Sequence, residues 1–184
     1  MLAKRPLLGM LPMLFASIAL AQGVFRYTDQ AGSLTVTGKS ARFTQLDGPV
    51  YKFTLTGSVV IDDKVQGLKM ASKQVTLDAV PTKADAKKSE IRKAIATGGV
   101  DITKAVTTPQ GSRVTRMVGS RGDYTNRTVD GLINLTGPVT LTNLDRAKNQ
   151  NLVATGNSLV AVLEPKTTAK RNGLRSATLS GSAR

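Results

Sequence analysis

The sequence predicts an all-β protein of short strands that bend at one shared level, and three observations predict it. A Thr-Gly dipeptide recurs along the chain. Around its best copies the apolar residues fall at every second position, the spacing of a strand buried on one face. Turn-forming residues separate these runs.

The chain begins with a segment of a different kind. Lys4 and Arg5 precede an apolar stretch, residues 7–20, interrupted by Pro12. That length suits a signal-peptide core and is short for a membrane helix. Ala19-Leu20-Ala21 has the small-x-small pattern of a cleavage site, so cleavage is expected after Ala21. Residues 1–21 are read as signal peptide and 22–184 as a single domain; an uncleaved anchor is the alternative. The remaining 163 residues (184 less 21) are enough for one core without covalent staples.

Three copies of the repeat stand out: Phe53-Thr-Leu-Thr-Gly-Ser-Val-Val-Ile61, Ala94-Ile-Ala-Thr-Gly-Gly-Val-Asp-Ile102 and Ile133-Asn-Leu-Thr-Gly-Pro-Val-Thr-Leu141. Each places apolar residues at −4, −2, +2 and +4 from its glycine. Weaker copies centre on Gly38, Gly156 and Gly181. The spacing between successive central glycines is 19, 41, 39, 19 and 25 residues, mostly one or two multiples of about 20. A glycine inside a strand marks a bulge, a bend or a close backbone approach. One per repeat, in line with the apolar face, predicts that successive strands bend together into a curved or folded sheet.

Other strands lie between. Val75 and Leu77 alternate in residues 73–79, and residues 112–118 and 159–163 are strand-like. Turns are expected at Asp47-Gly48, Asp62-Asp63, Pro109-Gln-Gly111, Arg121-Gly122-Asp123 and Asp130-Gly131. Residues 83–96 have helical propensity, but their second half overlaps a repeat, so they read as a charged loop running into a strand. Residues 166–175 are basic and loose. The first strand after the leader is placed at residues 34–43 and the last at 175–182; both are candidate sheet edges.

Composition narrows the function. The chain has no Cys and no His, which removes disulfides, the usual zinc ligands and the commonest general base. No metal or cofactor is expected. The few carboxylates are scattered and no signature surrounds any serine, so no catalytic residues and no enzyme are expected. Without Lys4 and Arg5, 24 basic side chains face 12 acidic ones, a net charge of +12. Such a field favours anionic partners. In a secreted chain a phosphate-bearing lipid is a better match than nucleic acid; solubility alone is the other explanation of the charge.

The segments Leu55-Thr-Gly-Ser-Val59, Thr97-Gly-Gly-Val100 and Leu135-Thr-Gly-Pro-Val139, with Gly67-Leu-Lys-Met-Ala-Ser-Lys-Gln-Val-Thr-Leu77 between, resemble the OstA-like family of periplasmic lipopolysaccharide-transport proteins (the LptA–LptC family). The similarity spans residues 34–163. It implies an antiparallel β-jellyroll, or β-taco: sheets folded over an apolar groove that shelters acyl chains of lipopolysaccharide or a similar envelope glycolipid. It also implies stacking with other OstA-like envelope proteins through edge strands, as part of a bridge to the outer membrane. The chain departs from the family in its low aromatic content and strong basicity.

On that resemblance the groove is expected to be lined by Val36, Phe53, Leu55, Val59, Ile61, Val75, Leu77, Val100, Ile102, Ile133, Leu135, Val139 and Leu141. Pattern alone makes the same residues an ordinary core. Lys39, Arg42, Lys52, Lys69 and Lys73 are candidates for meeting lipid phosphates near the rim, or else belong to a solvated outer face. Uncovered edges predict a head-to-tail homo-oligomer. The competing functional class is a structural or surface β-repeat protein that binds an anionic polysaccharide and carries no lipid.

Overall fold

The computed structural model describes residues 17–21, 24–108, 111–127, 130–146, 148–164, 174–182 and 184. Lys4, Arg5, the start of the apolar leader, Gln22, Pro109 and most of the basic 166–175 stretch lie outside the described residues. The strands are β1 (Ser17–Ala21), β2 (Val24–Thr28), β3 (Leu34–Gly38), β4 (Ser40–Gln45), β5 (Tyr51–Asp63), β6 (Leu68–Pro81), β7 (Ser89–Thr108), β8 (Gly111–Asn126), β9 (Gly131–Asp145), β10 (Gln150–Leu163) and β11 (Leu174–Ser180). They form one antiparallel sheet in the order β1-β2-β3-β5-β6-β7-β8-β9-β10-β11, with β4 also on β5. Among the described residues there is no helix and no second layer.

A sheet with one apolar face and no covering layer must fold on itself to bury that face. It does so along a crease of aligned bulges. Thr56 pairs with Gln74 and Val59 with Ser72, so Gly57 and Ser58 oppose Lys73 alone. Gly98 and Gly99 oppose the same Lys73 on one side and Ser120 on the other. Gly137 and Pro138 oppose Asn157. An extra residue on one strand sharpens its bend, and here the extra residues alternate strand by strand, on β5, β7 and β9. Gly57, Gly98 and Gly137 have φ of +75°, +83° and +92°, which L side chains adopt only under strain.

The intervening strands solve the same corner differently. Gly38, Gly119 and Gly156 sit on the inner side, where an added Cβ would come within 3.3 Å, 3.2 Å and 3.2 Å of Thr56 O, Leu135 Cβ and Leu179 Cδ2. The expectation that every central glycine lies in line with the apolar face is therefore corrected. Those of the best copies are bulge residues turned against the outer side chains of Lys39, Lys73 and Ser120. Of the central glycines of the repeat, only Gly38 and Gly156 give space inside.

The crease divides the sheet into two leaves. Leaf A holds β4, residues 51–56, 74–81, 89–97, 121–126, 131–136 and 158–163, and β11. Leaf B holds β1, β2, β3 and residues 59–63, 68–72, 100–108, 111–118, 139–145 and 150–156. Their facing apolar side chains form one cluster from Phe25 to Leu163. Fully burying each Leu, Ile, Val or Phe contributes about 1.5–3 kcal/mol, which offsets much of the entropy lost in ordering long strands. This is the β-jellyroll, or β-taco, architecture.

Two local expectations change. Arg121-Gly122-Asp123 is no turn: it lies inside β8, and Gly122 faces inward where a Cβ would meet Leu135 at 2.8 Å and Val100 at 3.0 Å. The glycine is there for room, and its flanking charges point out. Residues 34–43 do not form an edge throughout. β3 is internal, covered by β2 and then β1; only β4 is an edge. Val24–Thr28 alternates over just five residues, too brief a run to be noticed. β1 falls within the segment expected to be cleaved.

Candidate functional site

All thirteen expected groove residues point into the space between the leaves, and none is more than 2 % exposed. In this form of the protein the chain's own side chains fill the interior from β2 to β9. Tyr27 of β2 and Phe53 of β5, from opposite leaves, pack at a tilt of 56° with ring centroids 4.7 Å apart.

The mouth opposite the crease is held by buried polar groups. Asp29, after β2 in leaf B, accepts the backbone N–H groups of Ser33 and Ser89 at 2.6 Å each, and the Ser33 hydroxyl. Ser89 opens β7 in leaf A. Asp63 accepts the N–H of Gln66 at 2.9 Å on its own side and that of Ile91 at 3.2 Å across the mouth. Gln66 Nε2 donates to Glu90 at 3.0 Å, and the buried Lys104 ammonium donates to the Gln66 carbonyl. Below them lies Tyr124, whose hydroxyl is driven well above the usual phenol range, first by burial and then by the charges of Asp63 and Glu90. Two carboxylates thus clasp the leaves together at this end.

The interior opens at the other end. Ala154 and Leu152 pair with Leu141 and Asn143, which puts Leu152 on the inner face, yet it is 54 % exposed. Leu174, Ala177 and Leu179 of β11 pack on the core from the opposite leaf and are only partly buried. Beside this opening lies a cavity of about 620 Å³ lined by Arg113, Asn143, Asp145, Lys148, Gln150, Asn151 and Leu152. Arg113 Nη2 and Nε donate to Asp145 Oδ2 at 2.7 Å and 3.1 Å. That guanidinium, helped by the Lys148 N–H, holds the Asp145 carboxyl below the ordinary aspartate range. The corner sets the ion-paired Arg113, Lys148 and polar amides beside the exposed, inner-facing Leu152.

The five candidate headgroup residues are not brought together. Lys39 and Lys73 lie on the outer side of the crease, packed along Gly57 and Gly98. Arg42 and Lys52 share the outer face of leaf A, and Lys69, on leaf B, sits 3.8 Å from Asp62. The corner residues were missed, although extending the alternation past Leu141 would have placed Asn143 and Asp145 inside. Polar residues at inner positions near a strand end are the signal for an opening. The clasp had no such signal, because Asp29 and Ser89 are 60 residues apart.

No protein-family model matches the chain, and neither a curated protein nor a solved structure matches it.

Proposed function

We propose that this chain is a periplasmic lipid carrier. Its leader takes it across the inner membrane, and its folded sheet shelters acyl chains of lipopolysaccharide or a similar anionic glycolipid on the way to the outer membrane. Edge strands join it to other envelope proteins of the same build. The observation that carries this reading is the opening at β10 and β11. There the inner-facing Leu152 lines a cavity with Arg113, Asp145 and Lys148, and three partly buried apolar residues of β11 pack on the core from the opposite leaf. An alkyl tail entering there gains about 0.8 kcal/mol for each methylene it buries. The excess of positive charge supports the same class of ligand. Because the thirteen interior residues pack against one another, the passage widens only as the leaves part, starting from the unclasped end.

A second reading is favoured by that same packing: a solid β-repeat protein whose polar corner binds an anionic polysaccharide. Mass spectrometry of an organic extract separates the two. The carrier yields an acylated lipid and takes up a labelled one; no lipid and no uptake leaves the polysaccharide binder.

A further inference from the structure

The two ends of the folded sheet are stepped, and the steps fit each other once β1 is gone. At the amino-terminal end, β3 and β4 run as one bent strand along β5, and β2 extends leaf B by one strand more. At the carboxy-terminal end, β11 extends leaf A by one strand beyond β10. Residues 150–154 of β10 have no strand on their outer side among the described residues; Thr155 pairs there with Arg184 through bonds of 3.0 Å and 3.1 Å.

Counting strands gives the consequence. Leaf A has eight, β4 through β11. Leaf B has β2, β3 and six from β5 to β10, also eight, plus β1. With β1 present the leaves are unequal, nine against eight, so a second copy cannot close both leaves at once. Without it they match. Direction agrees as well. In leaf B, β10 runs toward the crease and β2 away from it; in leaf A, β11 runs toward the crease and β4 away. Both new pairings are antiparallel, whereas β10 against β1 would be parallel.

We infer that residues 17–21 plug the β2 edge, and that cleavage after Ala21 converts the chain into a unit that stacks end to end with further copies of itself. The partner is a second copy, and the joint is double: β10 on the partner subunit's β2, and β11 on its β4. The edges carry the apolar surface that such a joint covers. Leu152, Leu174, Ala177 and Leu179 line one end, and Phe43 and Ala41 are inner-facing on the other, with Phe43 42 % exposed. Loss of the leader then does two things: it releases the chain and licenses assembly. This rests on the edge-pairing part of the proposed function and is independent of the lipid.

The rows of the sheet tell where to test it. Following the pairings across leaf B, Thr28 and Val153 lie on one row; across leaf A, Arg42 and Thr178 do. The chain has no cysteine to interfere. Thr28→Cys with Val153→Cys in the chain starting at Gln22 should give a ladder of covalent multimers under mild oxidation, and the same pair in the full chain should not. Val153→Pro supplies the second arm. Thr155 faces away from β9, so Val153 does too, and a proline there removes an outward N–H without breaking the β9 ladder. It should hold the Gln22 chain monomeric in sedimentation while leaving unchanged the melting temperature of the full chain, which does not assemble. A Gln22 chain that stays monomeric at every concentration overturns the inference, as does a full chain that ladders equally. Assembly without extracted lipid sinks the carrier alone; lipid without assembly sinks the joint alone.

Discussion

Replacing Gly137 by alanine tests the crease directly. Its φ of +92° forces any L residue into strain, at roughly 1–2 kcal/mol. The new Cβ would also lie 2.6 Å from Ser120 Cβ. The Ser120 hydroxyl can rotate away, but its Cβ is fixed to β8, so one strand must shift at a corner both leaves share; such overpacking costs about 1–3 kcal/mol. Together the loss is about 2–5 kcal/mol. Gly32→Ala is the control: φ is +63° there and nothing lies within 4 Å of the added carbon, so only the roughly 1–2 kcal/mol of backbone strain applies. Urea unfolding of both variants measures the difference. Adding Ser120→Gly to Gly137→Ala in a double-mutant cycle should return the packing share as a coupling of about 1–3 kcal/mol. If Gly137→Ala costs no more than Gly32→Ala, or the coupling is zero, the bulge does not make the corner.

Other perturbations separate clasp, core and corner. Asp29→Ala strips the acceptor from two backbone N–H groups and a hydroxyl; the expected loss is about 2–5 kcal/mol in urea unfolding, with amide exchange at Ser89 accelerating. Leu55→Ala, in the sealed interior, should cost about 2–5 kcal/mol. Leu152→Ala, on the open inner face, should change stability by less than about 0.5 kcal/mol while reducing uptake of a labelled acyl lipid. The Arg113–Asp145 pair adds stability that is whole above the ordinary aspartate pKa, about 3.9, and is lost as pH falls through the depressed value of the folded state. An Asp145→Asn variant should therefore flatten the acid limb of melting temperature against pH; an unchanged limb assigns it elsewhere.

Alternation made the interior legible. Two apolar residues on each side of a Thr-Gly fix the face, and a one-residue slip would turn every one of them outward. The same pattern was blind where alternation stopped. β2 is too short to establish a period. Arg121-Gly122-Asp123 mimics a turn because its glycine relieves crowding against Leu135 and Val100, a cause visible only once β9 and β7 are in place. Asp29 and Asp63 look like ordinary loop and turn residues until the leaves close over them. The corner lay within reach, since Asn143 and Asp145 keep the inner parity of Leu141 while changing from apolar to polar.

The position of the buried charges bears on how such a fold opens. A one-layer sheet folded at a crease has its least support at the mouth, where the backbone ladders of the two leaves do not meet. At the β2 end this chain places Asp29, Asp63 and Lys104 there, each bonded to backbone across or along the mouth. At the β10 end it leaves Leu152 and Leu174 only partly covered and spends its ion pair at the rim, between Arg113 and Asp145. Buried charge–backbone bonds are costly to break, since each leaves an unpaired group in a low-dielectric site, whereas the Arg113–Asp145 pair joins neighbouring strands of leaf B and does not hold the leaves together. Parting of the leaves must therefore begin at β10 and β11 and stop at the clasp. A hydrogen-exchange gradient falling from the carboxy-terminal strands toward β2 and β3 is the required signature; uniform protection along the mouth would mean that the clasp does not set the direction of opening.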